Sequence, residues 1–310
     1  MELKTEQLLG TLEVLLEKEF RFRLPCHEDG ATLKSYFWDA TTQGTFTPLR
    51  VIQSEGWIKQ TDLEVAVTNW QWSEHSGLAA KGTYLPHRDE QNILLDDATK
   101  LERTEKYQAL LELLTSNLEN LQAFILSCTS RYSLSIVVGQ ITEKRWICLS
   151  PTVPQETYGY FNNESKDSVE EILSAIEVQI QAALNELTKI QVYGWYGGGY
   201  ENVHDYQIVY AVGNSRDQAI EWALAVAGLV EICKFERFEA REQRCAYSEQ
   251  EDKELKERFQ HLNQFLSQTF PELKLYRFCF WDYENLYILG KSATEDRVGI
   301  VIRSQFTYNP

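Results

Sequence analysis

The chain has 310 residues, 46 Asp and Glu against 30 Lys and Arg, and a formal net charge of −16 at pH 7. A surface this acidic repels phosphate backbones, which makes direct nucleic-acid binding the least favoured broad function. With 43% hydrophobic and 12% aromatic residues the chain must fold around a core, and at about 150 residues per domain it suggests two domains.

In chain order, Leu8–Leu16 reads as an amphipathic helix, and Ser35–Trp38, the turn Thr41–Gly44 and Leu63–Trp72 read as two strands about a turn. Over Glu102–Leu118, apolar Tyr107, Leu110, Leu111, Leu114 and Leu118 recur at three-to-four spacing and predict a helix. Phe124–Cys128 and Tyr132–Gly139 follow as strands. The polar turn Ile141–Lys144 then leads into the strand Trp146–Leu149. Pro, Asn and Ser cluster over Pro151–Ser168, which reads as a joint between acidic halves. Beyond it, Asp167 and Ser168 open a helix over Val169–Leu187. Tyr206–Val212 reads as a strand, Ser215–Ala227 as a helix and Val230–Phe238 as a strand. The helix Gln250–Gln268 then precedes strands at Lys274–Trp281, Leu286–Gly290 and Val298–Arg303.

Laid on itself, the chain repeats. Lys106–Leu114 aligns with Arg258–Leu266, and Leu118, Leu121 and Phe124 meet Phe270, Leu273 and Tyr276. After a one-residue slip Cys128 meets Cys279, and Leu134–Gly139 meets Asn285–Gly290. The same helix–strand–strand unit is thus expected twice, with Cys128 and Cys279 in equivalent buried sites. Helices feeding antiparallel strands predict an α+β fold.

Tyr107–Leu111 through Asn117-Leu118, then Ser133–Gly139 and the closing strand, resemble the C-terminal half of the cyanobacterial nuclease A inhibitor family, in which a "KYKEL…NL" helix precedes an "IDVYVVGET" strand. The second copy resembles the same module, and Tyr206–Phe238 adds a match to that family's first strand, helix and second strand. The resemblance implies two tandem, pseudo-symmetric α-β-α sandwich modules with largely antiparallel sheets, over residues 1–155 and 156–310. It also implies a non-enzymatic protein that blocks a DNA/RNA non-specific nuclease by filling its basic, metal-containing cleft. In the family, carboxylates near the loop between the first helix and first strand make inhibitory contacts, and the C-terminal residue reaches the nuclease metal. The corresponding loops here hold Glu28 and Asp29 in the first unit and Glu201 and Asp205 in the second, while Phe306–Pro310 runs past the family's usual end.

The stretch Tyr193–Tyr200 interleaves aromatics with glycines and lacks the Lys-Ser/Thr of a P-loop and the spacing of a dinucleotide fingerprint. It reads either as a partner-contact loop carrying Trp195, Tyr196 and Tyr200, or as a long β-connection whose aromatics fold back on the sheet. Cys26 and His27 are neighbours whose side chains point apart on an extended chain, a poor arrangement for nucleophilic catalysis, and His27, Glu28 and Asp29 read as a solvated loop rather than a metal site. The acidic run Glu249–Glu254 reads as the solvated first turn of a helix, or as a phosphate decoy. Six isolated Cys without a CxxC pair predict core thiols, no disulfide and no structural zinc.

The sequence therefore predicts a cytoplasmic, non-catalytic protein without cofactor or metal, lacking a secretory leader or membrane span, whose partner is a basic nuclease or other nucleic-acid enzyme. A second reading is an adaptor that keeps the fold but binds another protein through the Tyr193–Tyr200 loop. A third is an enzyme with an unrecognised site.

Overall fold

A computed structural model describes residues 3–17, 31–75, 95–128, 133–153, 174–196, 200–238, 249–280, 283–292 and 295–304. The first half carries α1 (Leu3–Leu16), β1 (Ala31–Trp38), α2 (Ala40–Gln43), α3 (Pro48–Ser54), β2 (Ile58–Thr61), α4 (Leu63–His75), α5 (Asp97–Asn117), β3 (Glu119–Leu126), β4 (Leu134–Thr142) and β5 (Arg145–Pro151). The second half carries α6 (Ala175–Glu186), β6 (Ile190–Tyr196), β7 (Tyr200–Tyr206), β8 (Ile208–Gly213), α7 (Arg216–Val226), β9 (Val230–Lys234), α8 (Glu249–Thr269), β10 (Leu273–Phe280), β11 (Tyr283–Lys291) and β12 (Arg297–Ser304).

Local chemistry sets the helix starts. The Asp96 carboxylate accepts from Thr99 N at the start of α5, Thr47 accepts from Arg50 N ahead of α3 with Pro48 in its first turn, and Ser215 accepts from Gln218 N at the start of α7. Each such cap satisfies an N–H with no partner inside the helix, a contribution of about 1 kcal/mol. The α3 and α7 turns both close on glycines with positive φ, Gly56 at 69° and Gly228 at 80°, a conformation that glycine adopts without a Cβ penalty.

The strands form two five-stranded antiparallel sheets and one separate hairpin. The sheet orders are β1-β12-β11-β10-β9 and β2-β3-β4-β5-β8, and among the described residues β6 pairs with β7 alone. The fold class is α+β, as the alternation of helices and antiparallel strands implies. Each sheet, however, takes its outermost strand from across the joint, β1 lying beside β12 and β8 beside β5. The division at 155/156 separates two similar runs of elements but does not separate the sheets.

The two sheets carry the same register. Gly139 pairs with Ile147 and Gly290 with Val298, while Trp146 faces Gly213 and Arg297 faces Trp38. Both preceding helices, α5 and α8, have 21 residues. Leu118 N–H donates back to Leu114 O and Phe270 N–H to Leu266 O. Ser127 N–H donates to Trp57 O just ahead of β2, and Cys279 N–H donates to Leu229 O just ahead of β9. That pairing corrects the expected match, because Cys279 corresponds to Ser127 rather than Cys128; Cys279 is buried and Cys128 only partly so.

One core fills the space between the sheets and continues through the second sheet to α4 and α5 on its far face, and a second lies outside the first sheet. The larger joins Trp38, Phe278, Tyr287 and Val301 to Leu49 and Ile52 of α3, to Ile220 and Leu224 of α7, and to Ile136, Val138 and Leu149. Both connecting helices belong to this layer: α3 leads from β1 to β2 and α7 from β8 to β9, so each crosses from one sheet to the other. They meet where Glu221 of α7 accepts from Leu49 N at the start of α3, at 3.2 Å. The smaller core sets Leu255, Phe259, Leu262 and Leu266 of α8, with Leu12 of α1, against Leu33, Leu275, Ile288 and Ile300.

The expected strand over Leu63–Trp72 is helix α4. Leu63, Val65 and Val67 alternate like a strand, but the buried positions are Ala66, Val67, Trp70, Ser73 and Glu74, a helical stripe. The strand lies just before it, at Ile58–Thr61. The described part of the expected helix over Val169–Leu187 begins at Ala175 with Ser174 as its cap; Asp167 and Ser168 lie outside the described residues. Among those residues no helix is long and apolar enough to cross a membrane.

Candidate functional site

Five of the seven sequence-predicted contact residues fall on one element. The glycine-rich stretch includes the ends of β6 and β7, whose register sets Tyr196 opposite Tyr200, Trp195 opposite Glu201, and Gln191 opposite Asp205. The side chains of residues 193–203 and the whole of Gly197–Gly199 lie outside the described part. Glu28 and Asp29 also lie outside it, three and two residues ahead of Ala31, where β1 begins beside Ser304 in the first sheet. The hairpin thus groups Trp195, Tyr196, Tyr200, Glu201 and Asp205 on one element, whereas Glu28 and Asp29 precede β1, a strand of the first five-stranded sheet.

The hairpin base is fixed firmly. Val192 is 2% exposed and Tyr206 fully buried. The Tyr206 hydroxyl donates to Trp70 O of α4 at 3.4 Å, and burial raises its pKa well above the usual phenol range, as does the nearby Glu74 carboxylate. Trp70 is held in turn, because its Nε1–H donates to Ser135 O of β4 at 2.8 Å. Behind Tyr206 lies a charged cluster that sequence reasoning missed. Arg103 of α5 donates through Nε and Nη2 to the two Glu74 oxygens, each at 2.7 Å, and the Tyr107 hydroxyl donates to Glu74 Oε1 at 2.5 Å. Side-chain exposures of 5% and 0% make the ion pair an interior one. Arg103 and Tyr107 are spaced four apart on the buried face of α5, which was a readable signal, but reading Leu63–Trp72 as a strand hid Glu74 as their partner.

The acidic residues around the hairpin are not all free charges. Asp205 forms an ion pair with Lys189 at 2.7 Å, both about half exposed, an arrangement that contributes little to stability in water. The neighbouring His204 is pushed down to about 4 by burial, against the pull of Asp205, so its imidazole is neutral near pH 7. A cleft of about 350 Å³ opens beside the base, lined by Leu184, Asn185, Lys189, Gln207, Tyr210 and Val226 among others. Among the described residues no three His, Cys, Asp or Glu side chains are grouped to hold a metal ion, and Cys128, Cys148, Cys233 and Cys279 are not in disulfides. Cys26 and Cys245 lie outside the described residues.

Residues 189–304 match the family of nuclease A inhibitor-like proteins. The match opens at Lys189, the residue paired with Asp205, and closes at Ser304, the last residue of β12. It covers the whole hairpin and every strand of the first sheet except β1, and it spans less than half of the chain. No curated protein and no solved structure matches the chain. The nuclease A inhibitor-like stretch is not a closed unit in this fold, since its strand β8 completes the opposite sheet and β1 takes the place beside β12.

Proposed function

We propose that the protein is a non-catalytic binding protein that inhibits a basic DNA/RNA non-specific nuclease, with the β6–β7 hairpin as its contact element. The observation that carries this reading is the family match over 189–304, which begins at the foot of the hairpin. The net charge of −16 suits a cationic partner, whose approach is steered by long-range attraction. The coincident registers of the two sheets support reading the first half as a second copy of the same module, and these four cysteines outside disulfides fit a reducing, cytoplasmic setting. The reading needs no cofactor or metal of the protein's own.

A second reading keeps the hairpin and changes the partner. It is favoured by the Lys189–Asp205 pair, which neutralises one of the two acidic positions and shifts weight to the aromatic residues Trp195, Tyr196 and Tyr200, the residue types that dominate interface hot spots. The two readings separate in kinetics. Under the inhibitor reading Glu201→Lys with Asp205→Lys slows association with a basic nuclease and flattens its salt dependence. Under the adaptor reading Trp195→Ala with Tyr196→Ala removes binding to the partner while the charge reversal leaves it unchanged.

A further inference from the structure

The hairpin belongs to neither five-stranded sheet, and an isolated two-stranded hairpin is marginal in water. Something outside it must set its direction. Its entry and exit are both held by the first half of the chain. At the entry, Lys106 Nζ of α5 donates to Glu186 O at the end of α6, three residues before Lys189. At the exit, Tyr206 packs in the core against α4, its hydroxyl donating to Trp70 O. The end of α4 that presents Trp70 O is tied to α5 through the Glu74 carboxylate, gripped by both arms of the Arg103 guanidinium and by the Tyr107 hydroxyl.

Stability alone gives no reason for a charge pair at this place. A buried ion pair replaced by well-packed neutral groups is often as stable or more so, because desolvation offsets the attraction. What the bidentate fork supplies is geometry: two parallel hydrogen bonds fix the planes of both groups, and with them the relation of α4 to α5. We propose that the buried Glu74–Arg103–Tyr107 cluster is the positioning element of the binding hairpin, so that the first half of the chain aims a contact surface encoded in the second. Tyr206 is the lever, since it joins that cluster's helix to the strand β7 that carries Glu201 and Asp205. This inference rests on the hairpin reading above for its functional meaning, and on the hydrogen bonds of Tyr206 and Glu74 alone for the positioning.

The experiment is amide hydrogen exchange on the full chain, read by mass spectrometry, for Glu74→Gln with Arg103→Met and, separately, for Tyr206→Phe. The first change keeps shape and leaves no unpaired buried charge; the second removes only a hydroxyl. In both, amides of 190–196 and 200–206 are expected to exchange about tenfold faster, with those of β4 and β5 unchanged, as a locally loosened unit behaves. Dissociation of a basic DNA/RNA non-specific nuclease from the same variants is expected to quicken, with association unchanged. Unaltered hairpin exchange in both variants overturns the positioning role, and faster exchange spread evenly over both sheets overturns it in favour of a purely structural one. Hairpin-limited acceleration in a chain whose wild type binds no such nuclease upholds the positioning and removes only the choice of partner.

Discussion

Two glycines set how closely a helix end approaches each sheet. A Cβ at Gly290 would lie 2.1 Å from Cδ1 of Phe270, and one at Gly139 would lie 2.8 Å from the Cδ1 atoms of Leu118 and Leu121. Phe270 is 4% exposed and has little room to yield. Gly290→Ala is therefore expected to cost about 1–3 kcal/mol in a denaturant melt, and Gly139→Ala less, since flexible Leu side chains can give way. Equal costs at the two sites would contradict the contacts described. The corresponding places of Gly139 and Gly290, and of Leu118 and Phe270, were legible in the sequence, because apolar spacing and glycine punctuate the two segments alike. The Cys pairing was not, because the one-residue offset between the two segments falls after β3 rather than before Cys128: Leu126 pairs with Leu134, and Phe278 with Asn285.

The elements divide by how strongly local signals agree with their place in the fold. The helix α5 begins five residues ahead of the expected Glu102, at Asp97 behind its Asp96 cap. The helices α7 and α8 and the strands β10 and β12 match their sequence expectations closely, because apolar period and end signals coincide there. The helix α4 does not, since alternating Leu63, Val65 and Val67 imitate a strand while burial of Trp70 and Glu74 is decided by α5 and the hairpin. The start of α6 shows how a side chain from elsewhere fixes an element. Glu177 accepts from Ser174 N at 2.7 Å, Ser174 Oγ accepts from Glu177 N, and Arg145 of β5 donates to Glu177 Oε1 at 2.8 Å. Burial alone would raise the Glu177 carboxyl, but its bonds to Arg145 and Ser174 together hold it below the usual range. A lowered folded pKa means stability that is present above the unfolded value and lost as pH falls through the folded one. Glu177→Gln is thus expected to lower stability by about 1–3 kcal/mol at pH 7. That difference shrinks as pH falls below the ordinary carboxylate range, which urea melts between pH 7 and pH 3 would check; a difference that grows on acidification would refute the assignment.

At the scale of the whole molecule, the halves are joined by more than the connection between them. The exchange of β1 and β8, and the crossing of α3 and α7 through a shared core, make each sheet depend on both halves. The candidate site follows the same pattern, with a hairpin from one half held by helices from the other. The sequence marked Tyr193–Tyr200 as one stretch of interleaved glycines and aromatics, a loop or a long β-connection, and the fold places its ends in the strands β6 and β7. It was silent on what holds them, since the packing of Tyr206 on α4 spans more than a hundred positions. A protease site placed between Glu156 and Ser168 and then cut should leave two pieces that run together on gel filtration and part only when the sheets melt. Pieces that separate on cutting would mean the strands had not been exchanged.

The account stands or falls on the hairpin as the surface that meets a nuclease. Hydrogen exchange of the full chain, with and without a saturating basic DNA/RNA non-specific nuclease, measures this directly. Protection is predicted over 190–206, weakening as salt rises because the approach is electrostatic. A complex whose protection leaves the hairpin untouched and falls instead on α1 and α8 would contradict the account.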